Sequence, residues 1–250
     1  RILKEQQLYP YHLQRVQSLL IRDFLPRVVF CQWLINMIGQ APQFLRNILF
    51  TDEANFSRDC IRNFRNNHIW AEENPHDFFE GNHQYQFSLN VWLGIIDDHL
   101  IGPYFLPRRL DGDSYCHLLE ELPIILEEVP IQIRQRLWFM HDGAPAHFSI
   151  RARRHLDEVY ANRWIGRGGY VNWPARSPDL NPLDFCIWGY LKSLIYSRPV
   201  EDINDLRNRI VAGCETIKNS PGIFERIRNS MRTRVDACIE AEGNHFQHFL

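Results

Sequence analysis

The sequence predicts an α/β protein built on a mixed sheet, three antiparallel strands plus two parallel ones, flanked by helices. Three observations carry that expectation. Three strand-like segments precede a helix, after which strands and helices alternate, the order of a mixed sheet covered on both faces. Helical patterning occupies both ends of the chain, as an N-terminal entry segment and a C-terminal set of helices. At 250 residues, 45% hydrophobic and 13% aromatic, the chain can bury a substantial core in one or two domains.

From Leu8 to about Phe44 the apolar residues recur at helical spacing, as in YHLQRVQSLL and RVVFCQWLINMI, with breaks expected at Pro10, Pro26 and Pro42. Residues 1–45 therefore form a helical linker rather than a separate core, and residues 46–250 the main domain. FLRNILFTD is a short helix end followed by a buried strand that closes on Asp52. The polar stretch FSRDCIRNFRNNHIWAEEN predicts a surface strand or hairpin. Gln84 to Ile96, QYQFSLNVWLGII, alternates apolar and polar residues and is rich in aromatic and β-branched side chains, so it is a strand. HLIGPYFLP, after a turn at Asp97 and Asp98, is the next, and the three make an antiparallel meander.

Between Gly112 and Val129, SYCHLLEELPIILEEV is an amphipathic helix, with Asp113 or Ser114 as its cap and a kink at Pro123. RLWFMHD is apolar almost throughout, as a strand buried on both faces of a parallel arrangement would be. AHFSIRARRHLDEVY, residues 146–160, is the next helix, and after a Gly-rich loop YVNWP is the fifth strand. The turn ARSPDLNP opens a helix from about Leu183 to Tyr196, and further helices fill residues 201–240. The chain has no internal repeat.

Composition removes several classes of function. No apolar run approaches the roughly 20 residues that cross a bilayer, and the first residues lack the apolar centre of a signal peptide, so the expectation is a soluble intracellular protein. The six cysteines are scattered without a C-x-x-C pair, against both a zinc module and a disulfide framework. The chain begins at Arg1 rather than methionine, which predicts further sequence ahead of it. Net charge is −2, but between Arg134 and Arg176 eight arginines face three acids, a local balance of +5. Those arginines either line an exposed helix face or present planar forks to phosphates.

Asp52 closes the first strand and Asp142 follows the fourth. If the two strands are neighbours and parallel, both carboxylates emerge at the sheet edge where α/β folds place their sites. Asp184, in the first turn of the helix after the fifth strand, can reach the same point. Two unit charges at 4 Å cost roughly 4 kcal/mol at an effective dielectric of 20, so a cluster of carboxylates asks for a cation. Hard oxygen ligands favour magnesium or manganese, and two such ions can drive in-line phosphoryl transfer on nucleic acid. For any one of these aspartates the plain alternative is a turn former. His141 and His147 flank Asp142 without the further histidines a zinc hydrolase needs, which leaves His147 to orient the site. Glu53 points to the opposite face of its strand from Asp52.

FTDEANF, MHDGAPAH and WPARSPDLNPLDF with WGYLK after it resemble, in order, the three catalytic blocks of the mariner-like DNA transposases, of the superfamily named for its Asp-Asp-Asp/Glu triad. With RWIGRG and PGIFERIR added, the chain is most similar to transposase-like proteins of insect transposable elements. The resemblance spans about Phe24 to Lys192. It implies a ribonuclease H-like fold, Asp52, Asp142 and Asp184 as catalytic and metal-binding triad, two Mg2+ or Mn2+ ions, and phosphodiester hydrolysis with strand transfer at transposon ends. It further implies double-stranded DNA as partner, a homodimer, nuclear localisation, and helix-turn-helix modules outside this chain. Within SPDLNPLDF the pattern selects Asp184 as ligand and leaves Asp179 to cap the helix. Two departures stand out. The 42 positions from Asp142 to Asp184 exceed the mid-thirties spacing of well-known members, the excess falling on ANRWIGRGG, and Gly143 stands where relatives often carry asparagine.

Arg163, Arg167 and Arg176 are candidate contacts to DNA phosphates, and Trp164 and Trp173, placed in loops beside them, candidate stacking residues. The other tryptophans belong to apolar segments and to the core. The alternative to an enzyme is a domesticated or decayed transposase that binds DNA or protein without cutting. A ribonuclease H-type nuclease without transposition shares the site and differs in substrate.

Overall fold

The computed structural model describes residues 16–58 and 86–250. The surface hairpin expected beyond Arg58 lies outside them. Helix α1 (Ile21–Gln40) leads through a 3-10 turn (Phe44–Asn47) into β1 (Ile48–Ser57), followed by β2 (Ser88–Ile96) and β3 (His99–Leu106). After α2 (Gly112–Ile125) come β4 (Trp138–Met140), α3 (Ile150–Val159) and β5 (Trp164–Ile165). The chain closes with α4 (Trp188–Ile195), α5 (Ile203–Lys218) and α6 (Ile223–Glu240). The strand order is β3-β2-β1-β4-β5, antiparallel in β1 to β3 and parallel from β1 through β4 to β5.

Strand alternation sorts the core. On one face Leu49, Trp92, Phe139 and Trp164 pack against Tyr115, Leu118 and Leu122 of α2 and Ala152 and Leu156 of α3. On the other, Leu89, Val91, Leu93 and Ile95 of β2 pack against α4, α5 and α6, while Ile48, Phe50 and Met140 meet α1 and α6. Helix α1 is part of this core: Phe30, Cys31 and Leu34 pack with Met231, Val235 and Cys238 of α6. Cys31, Cys116, Cys214 and Cys238 are buried free thiols, and Cys186 is half-buried. Among the described residues no helix is long and apolar enough to cross a membrane.

Several boundaries differ from expectation for local reasons. Pro26 does not break α1, because it sits on the exposed face where water can satisfy the carbonyl it frees at Arg22. The cap of α2 is Asp111, whose carboxylate accepts from the Ser114 backbone N–H at 2.9 Å, and Pro123 lies inside the last turn of the helix, which runs on to Ile125. The fifth strand is Trp164–Ile165, inside the segment expected to be a loop. YVNWP supplies only a single bridge from Val171 to Ile165, since Tyr170 is exposed and Pro174 has no N–H to donate. Helix α3 begins late, at Ile150 under a Ser149 cap, because residues 142–149 are used in the turns beside Asp142.

Candidate active site

The site opens where the parallel strands part. β1 and β4 pair only as far as Phe50 and Met140, whereas the antiparallel ladder to β2 continues through Asp52 opposite Leu93 and on to Ser57. Asp52 thus lies in the middle of its strand and not at its end. Asp142 follows two residues after β4 closes. The parting is braced by two buried polar groups. Thr51 donates its hydroxyl to the Met140 carbonyl at 2.7 Å, and Asn181 donates its amide to the Thr51 carbonyl at 3.4 Å. The Asn181 side-chain oxygen also accepts from the Leu183 N–H at 3.2 Å, so one residue ties β1 to the start of the helix that carries Asp184.

That helix opens as a π turn, Leu183–Ile187, before becoming α4. The wider turn places Asp184 and Trp188 together on Asp52. Trp188 donates its indole Nε1–H to Asp52 Oδ2 at 2.6 Å, and Asp184 stands close enough for its charge to act on Asp52. Burial, then the charges of Asp184 and Glu53, push Asp52 well above the usual carboxylate range. Asp184 is raised to about 6, by burial first and then by Asp142. Crowded, buried carboxyl groups hold on to their protons in this way when no cation is present. Asp142 behaves oppositely. Burial would raise it, but its bond to His147 and the Ala144 N–H at 2.9 Å hold it below the usual range.

His147 Nδ1 stands 2.7 Å from Asp142 Oδ1 and its Nε2 stands 3.3 Å from Glu53 Oε2. Burial alone would lower its pKa, yet the charge of Glu53 and the bond to Asp142 raise it to about 10. Glu53 faces away from Asp52 as strand alternation requires, and its partner is this imidazolium. His147 lies over Tyr115, with ring centroids 4.1 Å apart, and the Tyr115 hydroxyl bonds His141 Nδ1 at 2.7 Å. His141 is buried and held neutral, first by burial and then by the His147 charge. A Cβ at Gly166 would stand 2.4 Å from the His141 ring, so only glycine lets the chain after β5 close here. Asn181 and Tyr115 were not singled out from sequence, and Trp188 was expected only as a core residue. Trp188 and Asn181 had a signal, since Trp188 is four residues after Asp184 on one helix face and Asn181 precedes the proline that opens that helix.

The candidate DNA contacts separate. Arg163 donates to the Gln135 carbonyl at 2.6 Å, at the far end of β5 from Asp142. Arg176 is held by the carboxylate of Asp23, from the first turn of α1. Arg167 is exposed and packs over Gly143, so the two departures from the mariner-like pattern meet in space. Trp164 and Trp173 are buried, 1% and 5% exposed, and are core residues unable to stack on bases. Asp179 caps no helix: it takes both guanidinium nitrogens of buried Arg27, at 2.8 and 2.6 Å.

Among the described residues no three His, Cys, Asp or Glu side chains already stand in the arrangement of an ion's ligands. Asp52 is engaged by Trp188 and Asp142 is turned to His147. The donor set is nevertheless all carboxylate oxygen, crowded enough to raise two of its members, which fits a hard divalent cation.

The sheet order, with carboxyl groups gathered where its parallel strands part, defines a ribonuclease H-like domain. In sequence it is similar to transposases of transposable elements. The chain is 25% identical over 202 residues, 79% of its length, to the Tc3 transposase of Caenorhabditis elegans, and spans about half, 56%, of that protein. It is 26% identical over 204 residues to the Tcb1 transposase of Caenorhabditis briggsae, covering 71% of this chain and 68% of that one. The catalytic domain of Mos1 mariner transposase superposes with a TM-score of 0.70 at 17% identity, over 94% of this chain and all of the other. The Mos1 paired end complex with Mn superposes at 0.80 and 17% identity, over 98% of this chain and 70% of that one. At such identity the structural likeness establishes the fold. No protein-family model matches the chain.

Proposed function

We propose that the chain is the catalytic domain of a DNA transposase that hydrolyses phosphodiesters at the ends of a transposable element and transfers the freed strand to target DNA. The observation that carries the reading is the gathering of Asp52, Asp142 and Asp184 within reach of one another's charge where β1 and β4 part. Asp52, Asp142 and Asp184 would hold two magnesium or manganese ions. Such ions activate an attacking oxygen and stabilise the leaving one. Homology to transposases and the likeness to Mos1 complexes crystallised with Mn and with Mg support this choice of metal.

The chain's own residues have separate tasks. Asp52 and Asp184, both raised, must ionise for both carboxylates to bind. Trp188 keeps Asp52 Oδ2 fixed through that change. His147, cationic between Asp142 and Glu53, fixes the Asp142 carboxylate and offsets its charge. Thr51 and Asn181 keep the opening between the strands at constant width. Double-stranded DNA and a second copy of the chain belong to the same reading, supported by a structural neighbour, Mos1 transposase, in a paired-end complex with a transposon end; a nuclear location follows from the reading alone.

Nicking of supercoiled plasmid in manganese buffer tests it. The parent should convert supercoiled to open-circular DNA, and Asp142→Asn should lose at least about 100-fold of that rate, the scale of removing one metal ligand or its orienting partner. A parent without nicking in either metal, or nicking that survives Asp142→Asn, contradicts the reading.

A further inference from the structure

Two guanidiniums share one aromatic ring next to Asp142. The Cζ of Arg167 lies 4.1 Å from the centre of the Phe148 ring, and that of Arg153 lies 4.4 Å from it. The residues come from different elements, Phe148 from the turn before α3, Arg153 from α3 itself and Arg167 from the segment after β5. Parallel register sets the height of the group. Phe139 is opposite Trp164 and Met140 opposite Ile165, which brings Arg167 level with Asp142. The backbone fixes the spacing: Gly168 turns at φ +77°, and a Cβ there would stand 3.2 Å from Phe148 Cε2 and 3.6 Å from Arg153 Cδ. Arg167 in turn lies against Gly143, where a Cβ would be 3.7 Å from its own Cβ.

Two like charges gathered on one ring repel, and the ring's negative face offsets only part of that. Their neighbour Arg151 is neutralised by Asp113 and Glu120. Among the described residues no acidic partner is found for Arg153 or Arg167, and Arg153 Nε is a buried donor with no acceptor. A polyanion with closely spaced oxygens is the ligand such a pair fits, because each planar fork can take a phosphate two oxygens at a time.

We propose that Arg153 and Arg167, mounted together on Phe148, form a phosphodiester-binding site that holds the DNA backbone beside Asp142. The proposal rests on the transposase reading for the identity of its ligand. It shifts the phosphate contact away from Arg163 and Arg176, whose guanidiniums are engaged within the protein, and adds Arg153 to Arg167.

The test is fluorescence anisotropy of a labelled DNA duplex titrated at several potassium chloride concentrations. Each phosphate contact contributes roughly 0.9 to the slope of log affinity against log salt. Replacing both residues, Arg153→Gln with Arg167→Gln, should flatten that slope by roughly 1.8, while Arg163→Gln leaves it unchanged. Arg153→Lys with Arg167→Lys keeps both charges and should restore the parent slope. An unaltered slope in the glutamine pair, an equal loss in Arg163→Gln, no restoration by lysine, or no binding by the parent overturns the site. Manganese titration of the same proteins reads the carboxylates separately. Manganese bound with an unaltered slope removes the arginine site and leaves the functional reading standing; a flattened slope without manganese binding does the reverse.

Discussion

Asp52 is held by a neighbour that contributes no charge, since Trp188 meets its Oδ2 at 2.6 Å through an indole that is only 5% exposed. Trp188→Phe keeps most of the packing and deletes the donor. It should weaken manganese binding about 10-fold, the lower end for groups that orient metal ligands, and cost about 1 to 2 kcal/mol of stability. Calorimetric titration and thermal melting measure the two effects separately, and a variant with parent affinity would show the indole to be packing alone. Asp184 carries the pH dependence. Its carboxyl is raised to about 6 from an ordinary 3.8, by burial and then by Asp142. In the metal-free protein the stability tied to its protonated form is full below pH 3.8 and is lost as pH rises through about 6. Metal binding needs the ionised form and should strengthen over the same window. Melting curves from pH 4 to 7.5 should therefore fall less steeply in Asp184→Asn than in the parent, with a gain of about 2 °C at pH 7, kept small because Asp184 keeps part of its surface in water, which screens the crowding on its other side. At this scale the three aspartates were legible because each sits in a recognisable block. Their partners were less so: the Trp188 and Asn181 contacts depend on a π turn and a strand parting, neither of which leaves a periodic trace.

The element that positions Asp184 is secured from a distance. Arg27, fully buried on α1, grips Asp179 in the Pro178–Leu180 turn, donates to Ser177 Oγ at 2.8 Å and to the Gly243 carbonyl at 2.7 Å. Arg27→Met would strand a nearly buried carboxylate and should cost about 3 to 5 kcal/mol, a drop of roughly 10 °C in Tm. Removing both charges, Arg27→Met with Asp179→Leu, should recover most of it. Differential scanning calorimetry of both variants checks this, and equal losses would point to packing rather than charge. The same contact explains a misplaced expectation. Asp179 has the composition of a cap, and only the fold brings a buried guanidinium to it. Strands were readable where they alternate or run apolar, as β2 and β4 do. β5 was not, because two residues of a Gly-rich segment carry no period and owe their pairing to β4.

For the whole molecule, β1 belongs to two ladders of unequal length, and the site is the place where one ends while the other continues. That arrangement fixes three carboxyl groups from β1, the end of β4 and the start of α4 within reach of one another's charge. The antiparallel meander, the parallel fourth strand and the flanking helices follow from the order of apolar segments. The long interval between Asp142 and Asp184 contains β5 and the turn bearing Arg167. The central claim is that these aspartates form one divalent-cation site. Calorimetric titration of manganese into the parent and into Asp184→Asn tests it most directly. Binding by the parent that strengthens as pH rises through about 6, and that is lost in the variant, is the predicted result. No binding by the parent, or the same affinity in both proteins, would contradict it.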